Sequence, residues 1–135
     1  MTRREIREEV FLLLFQNELS GIDIDETTEA CEEAFELEKN SEAVSTAKKI
    51  AEKYSELDEI IGKYSEKREV SRISKVNKTI LRLAVYEVLY CPNIPAKVAA
   101  NEAVELSKKY AEKQDSAFIN GVLGSFIKDS ENDSE

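Results

Sequence analysis

Apolar residues recur at steps of three and four along almost the whole chain, the spacing that puts them on one face of an α-helix. In residues 2–17, Ile6, Val10, Leu13 and Leu14 form such a stripe, widened by Phe11 and Phe15, and Ser20-Gly21 marks its stop. A second helix is predicted after an Asp25 cap, with Ala30, Cys31, Ala34, Phe35 and Leu37 on its apolar face. Ser41 caps a third, whose stripe of Val44, Ala47, Ile50, Ala51, Tyr54, Leu57, Ile61 and Tyr64 continues to residue 64. Gly62 weakens the end of that helix, and charged residues 66–71 read as a connection.

The most apolar segment follows. Ser74 caps residues 75–90, where Val76, Ile80, Leu81, Leu83, Ala84, Val85, Val88 and Leu89 leave little polar surface, so this helix is expected at the centre. Cys91-Pro92-Asn93-Ile94-Pro95 ends it, because proline cannot continue a helix and Pro95 pre-sets the start of the next. Helix five covers residues 96–110 and buries Val98 or Ala99, Ala103, Leu106 and Tyr110. Asp115 or Ser116 caps the sixth, which carries Phe118, Ile119, Val122, Leu123, Phe126 and Ile127, with Gly121 and Gly124 expected to permit close helix approach. Residues 1–128 thus read as one all-α domain of about six helices, and 129–135 as an acidic, disordered tail.

Composition narrows the class. At 135 residues, 41% hydrophobic and 35% charged, the chain fits one soluble globular domain, and four Gly with two Pro are too few for an all-β fold. No stretch reaches the roughly 18 apolar residues of a membrane span, and the N-terminus lacks the apolar block of a signal peptide, so a cytoplasmic protein without a membrane partner is expected. The absence of His removes the commonest general base and metal ligand. Cys31 and Cys91 lie far apart without a CxxC motif and read as buried free thiols. No phosphate-binding loop motif or nucleophile–base arrangement occurs, so no catalytic residue, metal or cofactor is expected and the chain reads as non-enzymatic.

The net charge of −9 argues against a nucleic-acid partner only if it is spread evenly. It is not. Residues 18–42 hold ten acids and a single base, Lys39, whereas residues 70–113 hold eight bases and four acids. Arg3, Arg4 and Arg7 begin the chain, with Arg3 and Arg7 on one helical face and Arg4 beside it. Arginine's planar fork suits phosphate and stacks on bases. Arg72, Lys75, Lys78 and Arg82 form a second basic edge at steps of three and four. Both sets also fit solvated helix faces with pairs such as Arg4 and Glu8.

Three stretches together resemble the bacterial transcription antitermination factor NusB family over about residues 2–128. They are Arg3-Arg4-x-x-Arg7-Glu8 with Leu14-Phe15-Gln16; the run from Arg72 through Lys75, Asn77, Lys78 and Arg82 to Glu87; and Ile94-Pro-x-Lys97, Asn101-Glu-Ala-Val-Glu-Leu106 and Phe118-Ile-Asn-Gly-Val-Leu123. The resemblance implies two three-helix bundles and a non-enzymatic role. That role is binding boxA RNA jointly with the ribosomal protein NusE, in a complex with other Nus factors and RNA polymerase that favours read-through of terminators in ribosomal RNA operons. By motif position it assigns RNA contacts to Arg3, Arg4, Arg7, Phe15, Gln16, Arg72, Lys75, Phe118 and Asn120. Partner contacts fall to Lys78, Arg82, Asn101 and Glu102. Phe15 and Phe118 also fit core stripes, and Asn120 with Gly121 also fits close helix packing. Two positions depart from the family: Gln114-Asp115 replaces an Asp-Ser pair, and Arg68-Glu69 stands where an aromatic is usual. A second reading is a helical adaptor whose RNA contact is supplied mainly by its partner. The similar N-terminal domain of some rRNA methyltransferases is disfavoured, since 135 residues leave no room for a methyltransferase domain. A homodimer sharing the arginine helix stays open.

Overall fold

The structure is a computed structural model that describes residues 1–65 and 68–133. Among the described residues there are seven α-helices, one 3-10 turn and no strand, in two compact units, Met1–Lys53 and Tyr54–Glu135. The all-α class is as expected. The count of six helices and the pair of three-helix bundles are not: the first unit holds three helices and the second four.

The first unit comprises α1 (Arg3–Ser20), α2 (Ile24–Ala34) and α3 (Glu42–Ala51). Val10, Phe11, Leu13 and Leu14 of α1 are buried together with Ala43, Val44, Ala47 and Ile50 of α3. Gly21, at φ 69°, closes α1 in the left-handed region, and its N–H bonds back to the Asn17 carbonyl. α2 starts two residues earlier than predicted, on an Asp23 cap whose carboxylate accepts the Asp25 N–H at 3.0 Å. It buries Thr27, Thr28 and Cys31, not the predicted alanines, and Phe35 is 64% exposed. Asn17 fixes this arrangement by donating to the Ile22 carbonyl (2.8 Å) and to the Thr27 hydroxyl (3.2 Å).

The second unit comprises α4 (Tyr54–Tyr64), a 3-10 turn (Val70–Arg72), α5 (Lys75–Tyr90), α6 (Ala96–Tyr110) and α7 (Asp115–Asp133). As expected, α5 is central: it packs on α4, α6 and α7, and Ile80, Leu81, Leu83, Ala84 and Val85 are buried. Each of the larger side chains among them contributes about 1.5–3 kcal/mol on leaving water, before conformational entropy is subtracted. Of the α5 stripe, Leu89 falls outside the core at 40% exposure. In α6 it is Ala99 that is buried, while Val98 is 43% exposed.

Four further expectations change. The predicted third helix is two helices, α3 and α4, broken at Glu52 and Lys53, where Lys53 N–H bonds to the Ile50 carbonyl in a tightened last turn. The last helix runs on to Asp133, through most of the expected tail; residues 134 and 135 lie outside the described residues. A Cβ added to Gly121 or Gly124 would meet nothing within 4 Å, so neither glycine is there to admit a neighbouring helix. Only Cys31 of the two free thiols is buried; Cys91 is half-buried. Burial pushes the Cys31 thiol above its ordinary pKa and makes it less reactive.

Candidate nucleic-acid interface

The arginine start of α1 is held by a reciprocal cap. Thr2 Oγ1 accepts the Glu5 N–H at 3.1 Å, and Glu5 Oε1 accepts the Thr2 N–H at 2.9 Å. The Thr2 backbone N–H, and after it the Thr2 side chain, hold the Glu5 carboxyl below its ordinary pKa. Arg3 and Arg4 are exposed at this helix end and Arg7 is half-buried. The end is also the positive pole of the helix, so cations here are held against the macrodipole and favour an incoming anion. Arg3 Nη1 donates to Glu42 Oε1 at 2.8 Å, but the two side chains are 76% and 50% exposed. So exposed a pair adds little to stability and is readily exchanged for phosphate.

Not every motif residue joins this face. At about 100° per residue, Phe15 lies within about 20° of Arg4 around the helix, whereas Gln16 is about 180° from Arg7. Gln16 is exposed, but on the other side of α1. Phe15 is half-buried and stacks on buried Phe11, with centroids 5.8 Å apart and planes 12° apart. Its ring is thus part core and part surface.

The second basic set starts at α5. Ser74 Oγ caps this helix by accepting the Asn77 N–H at 3.2 Å, and no acid occupies its first turn. Arg72 in the 3-10 turn and Lys75 are exposed, Lys78 is half-buried, and Arg82 is 6% exposed. Exposure falls along the stripe because α4 covers its later part. Arg82 Nε and Nη2 each donate to Asp58 at 2.7 Å, and its guanidinium carbon lies 3.9 Å from the centre of the Tyr54 ring. A fork satisfied by one carboxylate and stacked on a tyrosine is part of the core, so the partner contact expected of Arg82 is corrected to a structural one.

Phe118 and Asn120 are both on α7, about 200° apart around it, so they do not share a face. Phe118 is half-buried under Arg68, whose guanidinium carbon lies 4.5 Å from the ring centre. In the sequence Arg68 stands out only as a departure from the family pattern. Its partner is fifty residues on, and no local spacing signals the pair. Asn101 is exposed and Glu102 half-buried on α6, with exposed Val98 one turn before Glu102.

Elsewhere in the first unit, Glu29, Glu32, Glu33, Leu37, Lys39, Asn40 and Lys48 line a cleft of about 450 Å³, in which three carboxylates outnumber two ammonium groups. Among the described residues, no helix is long and apolar enough to cross a membrane, and no group of three or more His, Cys, Asp or Glu could hold a metal ion.

Fold and site together define a small all-α protein with exposed Arg3 and Arg4 at the capped start of α1 and exposed Arg72 and Lys75 flanking the Ser74 cap of α5. The family of that description is shown by comparison. The NusB family matches residues 4–128. The transcription antitermination protein NusB of Clostridium acetobutylicum is 42% identical over 133 residues, covering 97% of this chain and 98% of that protein. T. maritima NusB has a TM-score of 0.80 at 32% identity, covering 95% of this chain and 92% of that one. The NusB chain in a crystal structure of the antitermination factors NusB and NusE in complex with dsRNA gives a TM-score of 0.73 at 30% identity, over 93% and 96% of the two chains. The chain belongs to the NusB family of transcription antitermination proteins.

Proposed function

We propose that this protein binds boxA RNA of nascent transcripts together with the ribosomal protein NusE. In complex with other Nus factors and RNA polymerase, it promotes read-through in ribosomal RNA operons, in the cytoplasm and without a cofactor or catalytic step of its own. The observation that carries this reading is the capped start of α1, where Thr2 and Glu5 fix a helix end that presents Arg3 and Arg4 to solvent. The solved relative with NusE and double-stranded RNA supports the partner class. Arg72, Lys75 and the exposed part of Phe118 add a second group of RNA contacts on the other unit, and Lys78, Asn101 and Glu102 are assigned to the protein partner.

One titration tests it. Labelled boxA RNA, as a single strand and as a duplex, is titrated with this protein alone, with NusE alone and with both. Binding by the pair that exceeds either protein alone is expected. Binding by NusE that this chain does not strengthen would favour the adaptor reading, and no binding in any arm would remove the RNA role.

A further inference from the structure

We infer that Arg68, braced on Phe118, is the surface on which an unpaired RNA base stacks in the second unit; this rests on the RNA-binding reading above. The guanidinium carbon lies over the Phe118 ring, 4.5 Å from its centre, so the ring covers one side of the group. Arg68 is exposed, which leaves the opposite face to solvent. Phe118 is only half-exposed beneath it, so an arriving base meets the guanidinium before it meets the ring.

The backbone under Arg68 is fixed. Its N–H donates to the Ser65 carbonyl at 2.8 Å, and the Ser65 hydroxyl donates to the Arg68 carbonyl at 2.9 Å, with Ser65 itself buried. A side chain that would otherwise lose much rotamer entropy on binding is therefore already anchored at its root and at its tip. Among the described residues no carboxylate pairs with it. Arg82 is the contrast within the same unit: there the ring and a carboxylate together consume the fork. Guanidinium planes and aromatic rings are the two surfaces on which proteins stack splayed RNA bases, and this chain superposes one on the other.

The test places 2-aminopurine at successive positions of single-stranded boxA RNA and follows its fluorescence on binding this protein with NusE. One position is expected to be strongly quenched by the wild type, and the quench is expected to disappear in Arg68→Lys, which keeps the charge and loses the plane. Affinity for that RNA should fall roughly tenfold in Arg68→Ala, within the range of one lost base stack. Unchanged thermal melting of both variants confirms that they fold. A quench retained in Arg68→Lys overturns the inference, since charge alone would then suffice. So does a quench lost in Phe118→Leu but retained in Arg68→Ala, or RNA bound by the wild type with no position quenched. RNA that fails to bind the wild type in any arm overturns the functional reading itself, and this inference with it.

Discussion

At the scale of single residues, Arg82 shows how much a buried cation depends on one partner. Its side chain is 7% exposed and that of Asp58 29%, and the bidentate bond closes at 2.7 Å. Removing the guanidinium would leave Asp58 partly desolvated against Tyr54, at a cost of about 2–3 kcal/mol once Asp58's exposure is allowed for. Arg82→Ala should therefore lower the Tm by roughly 10 °C, and Arg82→Lys by most of that, because an ammonium cannot make the fork or lie flat on the ring. Thermal melts check both. Weaker partner binding with an unchanged Tm would instead return Arg82 to the partner surface. The sequence places Arg82 in register with Arg72, Lys75 and Lys78, which is why it reads as one of an exposed set. Asp58 is twenty-four residues away on another helix, and only the packing of α4 on α5 separates the buried member from the exposed ones.

At the scale of elements, boundaries and faces were legible where the chemistry is local. The Ser41 and Ser74 caps, the Gly21 stop and the Pro95 restart are all where the residues put them. The break between α3 and α4 was not legible, because Glu52 and Lys53 are good helix formers and the apolar steps continue through them. Each half buries its stripe in a different unit, and that tertiary choice leaves no local mark. The face of α2 was missed for another reason: Ile24, Thr27, Thr28 and Cys31 do follow helical steps, but two of them are threonines that bury methyls while bonding their hydroxyls to carbonyls. The cap of α1 makes a pH prediction. Glu5 is held below its ordinary pKa, so its contribution is fully present above the unfolded carboxylate value near 4.3 and is lost as pH falls through the lower folded value. NMR shifts of residues 3–6 should report loosening of the first turn on acidification below that value, and Glu5→Ala should loosen it at all pH values with no titration. In α7 the open space beside Gly121 and Gly124 predicts that alanine at either position stabilises the helix by about 0.5–1 kcal/mol, a rise of a few degrees in Tm; a fall would mean that a neighbour comes closer than the folded chain shows.

For the molecule as a whole, net charge is a poor guide and its distribution a good one. The unit Met1–Lys53 holds fourteen acids and seven bases, yet it also holds the arginine helix start. Phosphate contacts act over a few ångströms, whereas repulsion from the acids reaches about 10 Å at 0.1 M salt and is screened away above that. The two effects therefore separate with ionic strength. Binding to a single strand should weaken by about 0.7 in log K per tenfold salt for each phosphate neutralised. Replacing Arg3, Arg4 and Arg7 together by Ala should flatten the slope of log K against log salt by about 2, whatever the other contacts contribute. An unchanged slope in that variant would remove the arginine helix from the interface. Neutralising the cleft acids in Glu29→Gln, Glu32→Gln and Glu33→Gln tests the opposite term. That triple variant should bind RNA more tightly than the wild type at 50 mM salt and equally at 300 mM, because its benefit lies only in repulsion that salt already screens. A gain that persisted at high salt would mean that these glutamates meet RNA directly, and the acidic face would then have to be redrawn as part of the site.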